Sequence, residues 1–226
     1  MLPDRLHQGY QAFLGGRFSS ERSRYHSLAI AGQDPKIMVI GCCDSRVSPE
    51  VIFDAGPGEM FVLRNVANLV PPYEPDTGSQ HGTSAAIEFA VHGLNVEHIV
   101  VLGHASCGGV KAVYDNAAPL AAGDFIGKWM SQIEPLARRL EPRGPVRADN
   151  IRRLELAVVE QSLANLMTFP YIRRLVEEGK LKLHGTYFGV ATGLLFVRDE
   201  ATGEFHPCPD SVVPAPELEP GTPPVP

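Results

Sequence analysis

Three short runs constrain this chain more than any other feature: Lys36–Gly41 (KIMVIG), Met60–Arg64 (MFVLR) and Glu97–Gly103 (EHIVVLG). Each is too short for a helix and too continuously apolar for a half-wetted surface. That is the pattern of a strand buried on both faces of a parallel sheet. A Gly56-Pro57-Gly58 turn leads into the second run. Between the second and third, Ala86, Ile87, Ala90, Val91 and Leu94 fall at helical spacing within Thr83–Leu94. Strand, helix, strand in that order calls for a parallel sheet with right-handed crossovers. The expected fold class is therefore α/β, a central, mostly parallel β-sheet flanked by α-helices.

The remaining segments extend this pattern. Helices are expected over Cys107–Asn116, Asp124–Leu140, Ala148–Met167 and Phe169–Glu178, the last stopped by Gly179. Strands return at Leu181–Val190 and Leu194–Arg198, with a turn at Ala191–Gly193. At the N-terminus, Leu2, Leu6, Tyr10, Phe13 and Leu14 share one side of a helix that Gly15-Gly16 ends. This arm, residues 1–16, needs something to pack on, either the domain's own surface or a second subunit. From Pro207 onward eight of 20 residues are proline, so 207–226 is expected to be an extended or disordered tail. Residues 1–206 read as a single domain without internal repeats.

Charge and composition exclude several classes. A formal net charge of −6 offers no basic footprint for nucleic acid. Arg138-Arg139, Arg152-Arg153 and Arg173-Arg174 sit among acidic neighbours, as on a solvated helix face. No apolar run approaches the roughly 18 residues of a membrane span, and MLPDRLHQGYQAFLGG lacks the pattern of a secretory leader. The cysteines, Cys42, Cys43, Cys107 and Cys208, make a poor disulfide framework. A cytoplasmic protein using cysteine for metal binding or catalysis is expected.

The unusual residues stand at two strand ends. Gly-Cys-Cys-Asp-Ser-Arg (41–46) follows the first strand and Gly-His-Ala-Ser-Cys-Gly-Gly (103–109) the third. Open parallel sheets bind ligands beyond the carboxyl ends of their strands, so neighbouring strands would bring both segments to the functional edge. Two thiolates and one imidazole form a zinc set that leaves a fourth position open. His104 and Cys107, three residues apart, can share one metal as a helix begins. Any single cysteine, taken alone, reads as a small buried hydrophobe.

Cys-x-Asp-Ser-Arg followed by His-x-x-Cys-Gly-Gly resembles the β-class carbonic anhydrases. Pro57-Gly-Glu, the run Arg64–Tyr73 (RNVANLVPPY), Gly82–Ala90 and His98–Gly109 are similar to the plant-like branch of that family. The resemblance spans roughly residues 30 to 198. It implies Cys42, His104 and Cys107 as ligands of one Zn2+ per chain, with Cys43 at a variable position. Strand alternation agrees with choosing one of the adjacent pair. It further implies Asp44 and Arg46 as a catalytic dyad, and Gln33, Phe61, Val66, Phe89 and Gly108 as substrate-pocket residues. Phe89 stands where that branch has tyrosine. Another subgroup binds regulatory bicarbonate with a Trp–Arg–Tyr trio. Here Val39 and Phe188 flank Arg64 in its place, so that site should be missing and Arg64 is expected to serve a structural ion pair.

The activity implied is reversible hydration of carbon dioxide to bicarbonate, rising with pH, by a homodimer or multiple of dimers with its pocket at the subunit interface. His92 is a candidate proton shuttle or a plain surface histidine. Three other readings remain open: hydrolysis of carbon disulfide or carbonyl sulfide on the same fold, a non-catalytic zinc-binding module, and a cysteine-nucleophile enzyme using Cys107 with His104.

Overall fold

The computed structural model describes residues 2–75, 80–140 and 147–209. Two helices open the chain, α1 (Asp4–Gly15) and α2 (Arg17–Ala31). The strands are β1 (Ile37–Cys42), β2 (Met60–Asn65), β3 (His98–His104), β4 (Lys182–Phe188), β5 (Leu195–Arg198) and β6 (Phe205–Pro207). They form one sheet in the order β2-β1-β3-β4-β5-β6. The pairs β1–β2, β1–β3 and β3–β4 are parallel, and β5 and β6 close the edge antiparallel. This matches the expected architecture, but only the first and third apolar runs lie inside the sheet: Met60–Arg64 is the edge strand β2, and it is half-buried along its length rather than buried on both faces.

Register explains how the core forms. Met38 pairs with Ile99 and Ile40 with Val101, so their side chains share one face of the sheet. They are buried in one cluster with Val159 and Leu166 of α8 (Arg147–Leu166) and Ile172 of α9 (Pro170–Glu177). Ile151, Leu154, Val158 and Val159 give α8 an apolar stripe at helical spacing. The helix lies so close to β3 that a Cβ on Gly103 would stand 2.5 Å from Val159 Cγ2. Only glycine fits there.

Several expected elements differ in form. The helix read over Thr83–Leu94 is α4 (Gly82–Glu88) widening into a π-turn, Phe89–Gly93. The helix read over Asp124–Leu140 is broken into α6 (Phe125–Met130), a 3-10 turn at Ser131–Ile133 and α7 (Glu134–Arg139). Pro135, in the first turn of α7, lacks the N–H that a continuous helix would need. Short helices α3 (Pro49–Ile52) and α5 (Gly108–Tyr114) follow β1 and β3. The tail begins later than expected, because Pro207 belongs to β6 and the Cys208 N–H donates to the Leu195 carbonyl at 2.7 Å. The rest of the proposed tail, 210–226, lies outside the described residues.

Gly15-Gly16 ends α1 as expected, but α2 follows at once. Phe13, stacked on Tyr10 within α1, meets Phe18 tilted and Tyr25 edge-on, and these contacts hold the two helices together. α2 is fastened to the turn before β2. Arg17 donates to the Ala55 carbonyl at 2.9 Å, and Arg24 to the Pro57 carbonyl at 2.7 Å. Leu28 covers Gly58, which sits at φ 81. Neither helix buries a single residue in its own chain.

At the opposite end of the sheet from the ligand motifs, His98 Nδ1 and His184 Nε2 lie 3.0 Å apart. Burial, followed by the nearby charges of His98 and Lys182, lowers the pKa of His184 below its ordinary 6.5, against a raising contribution from Glu200. Above pH 6.5 His184 is neutral whether the chain is folded or not. Below it, the unfolded chain takes up a proton that the folded one declines, so stability is lost as the pH is lowered. His184→Gln is expected to flatten that fall, as read from denaturation midpoints across a pH series. An unchanged slope would assign the acid sensitivity elsewhere.

Candidate metal centre

Two strand ends and one turn bring the ligands together. Cys42 is the last residue of β1, His104 the last of β3, and Cys107 immediately precedes α5. Their ligand atoms all lie within 4.8 Å of one another. All three side chains are buried, His104 at 1% exposure. Ligands on a tetrahedral ion with bonds of 2.0–2.3 Å stand about 3.5–3.8 Å apart, so the cluster has the right span for zinc.

The imidazole is already set for a metal. His104 Nδ1 lies 2.9 Å from the Ala105 carbonyl, which can only accept, so the ring proton is on Nδ1. Nε2 then carries the lone pair, and among the described residues it is buried without a hydrogen-bond partner. An orphaned acceptor in a closed site is costly unless an ion occupies it. The two thiols pull apart in the same way. The hydrogen bond from Cys107, with others from the backbone N–H groups of Asp44 and Ala67, lowers the pKa of Cys42, and the same contact, with burial and the Cys42 charge, raises that of Cys107. Only a dication lets both sulfurs be thiolates together. The donor set fits zinc.

Main-chain geometry around the sulfurs is held by polar clamps. The Ala67 N–H donates to Cys42 Sγ at 3.3 Å. To reach it, Ala67 and Asn68 adopt left-handed backbone at φ 64 and 47, which costs a non-glycine residue roughly 1–3 kcal/mol. Two side chains hold the turn there. Asn65 bridges both main-chain groups of Leu69, at 2.9 and 2.8 Å. From α8, the Ser162 hydroxyl donates to the Asn68 carbonyl at 3.0 Å and accepts from the Val70 N–H at 3.2 Å. Among the described residues Arg64 forms no ion pair, contrary to expectation. Its Nε and Nη2 donate to the carbonyls of Cys42 and Asp44, at 2.8 and 2.7 Å, and so grip the ligand loop by its backbone.

Asp44 and Arg46 stand at the rim as a forked pair. The Arg46 N–H and Nε donate to Asp44 Oδ1 at 3.0 and 2.9 Å, and Nη2 donates to Oδ2 at 2.7 Å. Arg46 thereby holds the Asp44 carboxyl well below the usual carboxylate range. Nη2 also donates to the Ser106 carbonyl at 3.1 Å, tying the Cys42 loop to the Cys107 loop.

The expected pocket residues separate into two groups. Val66 is beside the centre: its Cγ1 is 3.0 Å from where a Gly109 Cβ would be. Val66 also lines, with Cys43, Asn65, Thr83, Ile126 and Trp129, a cavity of about 600 Å³. Trp129 Nε1 donates to the Val66 carbonyl at 2.8 Å. Gly108 adjoins Cys107, and a Cβ on it would meet nothing within 4 Å. Gln33, Phe61 and Phe89 are not brought to this chain's own centre. Gln33 precedes β1, at the end away from Cys42. Phe61 pairs in register with Met38, four residues before Cys42, about 13 Å along the strand. Phe61 and Phe89 stack at 5.7 Å, with Phe89 half exposed. His92, the candidate shuttle, is exposed and packs on the Tyr171 ring at 4.6 Å.

Sequence reading overlooked Glu155. It is 4% exposed, on the apolar face of α8. Its Oε1 accepts from the Cys107 N–H at 2.9 Å and its Oε2 from the Tyr187 hydroxyl at 2.7 Å. Burial, joined by the neighbouring Glu155, raises the Tyr187 phenol and keeps it a donor. A usable signal was present: Glu155 and Ser162 are polar residues seven apart among the apolar Ile151, Leu154, Val158, Val159 and Leu166 of one helical face.

Comparison with known proteins agrees with this geometry. The family model described as carbonic anhydrase matches residues 37–195. Beta carbonic anhydrase 3 of Arabidopsis thaliana is 36% identical over 195 residues, covering 84% of this chain and 74% of that protein. The chloroplastic beta carbonic anhydrase 5 of the same plant is 36% identical over 191 residues, with 82% of this chain and 61% of its own length covered. Among solved structures, the β-carbonic anhydrase CcaA superposes with a TM-score of 0.82 at 31% identity, covering 91% of this chain and 98% of that one. One of two tetrameric β-carbonic anhydrases from the ascomycete Sordaria macrospora gives 0.74 at 30% identity, over 86% and 97% of the two chains. A buried Cys-His-Cys cluster at the head of such a sheet, in a chain with these relatives, belongs to the β class of the carbonic anhydrase family.

Proposed function

We propose that this chain is a carbonate dehydratase that hydrates carbon dioxide reversibly to bicarbonate and a proton, holding one zinc through Cys42, His104 and Cys107. The observation that carries the reading is the orphaned, correctly tautomerised Nε2 of His104 facing two buried sulfurs. Zinc supplies, when bound, the Lewis acidity that makes water a nucleophile near neutral pH. Two thiolate donors leave less net charge at the site than three imidazoles would. Activity is therefore expected to rise with pH and to be weak in mild acid.

Asp44 orients the attacking water by accepting its proton in a hydrogen bond, and Arg46 fixes the carboxylate from both oxygens so that it cannot swing freely. Because Arg46 also grips the Ser106 carbonyl, the acceptor is aligned to both ligand loops at once. Val66 offers an apolar wall suited to a small neutral substrate. A homodimer, or a multiple of dimers, completes the pocket: Gln33, Phe61 and Phe89 of one copy face the centre of the other. Support comes from the exposed Phe89, from Leu2, Leu6, Tyr10 and Leu14 left uncovered on the arm, and from the tetrameric Sordaria relatives. A reducing compartment, the cytoplasm, fits the unbridged Cys42, Cys43 and Cys107. Curated relatives include chloroplastic and mitochondrial forms.

Zinc content and carbon dioxide hydration measured on one sample test the reaction. About one zinc per chain with fast hydration is expected, with carbonyl sulfide and carbon disulfide turned over far more slowly. Full zinc with hydration at the uncatalysed rate would overturn the assignment. Asp44→Asn should cut turnover on the order of 100-fold, the scale of a lost positioned acceptor, with zinc retained. Cys42→Ser should abolish stoichiometric zinc, whereas Cys43→Ser should keep it, since Cys43 lines the cavity rather than the cluster. For the shared pocket, coexpressing Cys42→Ser with Phe61→Glu should give more activity than either variant alone. No gain on mixing would place the pocket within one chain.

A further inference from the structure

One peptide unit next to the metal is gripped at both ends. The carbonyl of Ser106 accepts from Arg46 Nη2 at 3.1 Å, and the N–H of the same peptide, on Cys107, donates to Glu155 Oε1 at 2.9 Å. Ser106 itself is left-handed at φ 58, a conformation that a serine holds only when its surroundings insist on it. The rotation of this peptide sets the Cα–Cβ direction of Cys107, and hence where its sulfur points. It also sets where the Ser106 carbonyl meets Arg46, and hence how Arg46 presents Asp44. Glu155 is in turn fixed by the Tyr187 hydroxyl at 2.7 Å, from the C-terminal half of β4. A carboxylate so deeply buried is costly, and hydrophobic residues of similar volume would fill the space more cheaply if packing were its only task.

We propose that Glu155 is a positioning residue of the metal centre, acting through its oxygen acceptors to lock the Ser106–Cys107 peptide. It thereby aims the Cys107 sulfur at the ion and, through Arg46, holds Asp44 in register with it. Tyr187 is the brace that keeps the carboxylate in place. The inference rests on the carbonic anhydrase reading for its consequence in turnover, and on the Cys-His-Cys cluster alone for its consequence at the metal.

Three replacements of Glu155 separate reach from charge. Glu155→Gln keeps an acceptor oxygen at the same reach, Glu155→Asp keeps the charge but shortens the side chain, and Glu155→Leu removes both. For each, zinc release to a chelator, the charge-transfer and ligand-field absorption of the Co2+-substituted protein, and kcat against KM are measured. Glu155→Asp and Glu155→Leu should release zinc about 10-fold to 100-fold faster, the usual cost of losing a partner behind a metal ligand. They should also shift the thiolate-to-cobalt bands and lower kcat with little change in KM. Glu155→Gln should stay near the wild type in all three, and Tyr187→Phe should fall between.

A lowered melting temperature with unchanged bands and zinc release in the Asp and Leu variants would make Glu155 a core residue only and overturn the proposal. So would a Gln variant as impaired as Leu beside an intact Asp variant, because charge rather than reach would then be at work. If Glu155→Leu does not fold, the Gln–Asp pair carries the same comparison. Altered bands in a protein that hydrates no carbon dioxide would support the positioning role while sinking the assigned reaction.

Discussion

Two sulfurs and an imidazole nitrogen are packed within 4.8 Å of one another on buried side chains. Left to themselves, such groups repel or compete for a proton, and the opposed shifts of Cys42 and Cys107 show it. The cluster is tolerable only around a dication. The surrounding structure must keep the three atoms in place before the ion binds, since a site that relaxed to relieve them would lose its affinity. This requirement explains why so many polar side chains near the centre point at backbone. Arg64 takes two carbonyls of the Cys42 loop, Asn65 and Ser162 pin the turn that sends the Ala67 N–H to sulfur, and Glu155 takes the Cys107 N–H.

Three of the seven non-glycine residues with left-handed backbone among the described residues lie where those clamps act. Ala67, Asn68 and Ser106 are all left-handed without being glycine. Each lies next to a ligand or a donor to one, and each is held by a side chain from another element. The sheet supplies the stiffness. β1 and β3 are neighbours with β2 and β4 outside them, and the outer ladders run on to the ligands themselves, Cys42 opposite Asn65 and His104 opposite Phe188. α8 crosses this sheet close enough to require Gly103, and it carries Glu155 and Ser162 to two different ligand turns. One helix thus secures the centre from below while contributing no ligand.

What was legible in the sequence follows from how local each feature is. KIMVIG and EHIVVLG announce buried parallel strands because burial on both faces leaves no alternation to misread, whereas MFVLR, equally apolar, is a half-buried edge strand. The ligand motifs stand out for the same reason, each a dense cluster of chemically unusual residues after a strand. β6 was hidden because Phe205–Pro207 is short, contains a proline and pairs only at the sheet edge. The break in the expected helix over 124–140 was foreshadowed by Pro135, whose effect an apolar pattern does not register. Arg64 misled because arginine suggests a charged partner, whereas here its fork matches two carbonyls. Glu155 could be singled out only by noticing a charge on the wrong side of a helix.

The pocket residues show a deeper limit. Val66 and Gly108 sit beside the centre because they are near a ligand in sequence, and chain continuity carries them there. Phe61 and Phe89 meet each other across β2 and the π-turn, yet the strand register puts them about 13 Å along the sheet from Cys42. A residue type at a family position therefore fixes its neighbours within the chain but not which centre it serves. The metal is held by elements that fold together, while Phe89, exposed on the π-turn beside Phe61 of the edge strand, has its packing unfinished. If a second copy finishes it, the chemistry and the apolar wall belong to different chains, and assembly becomes part of building the active site.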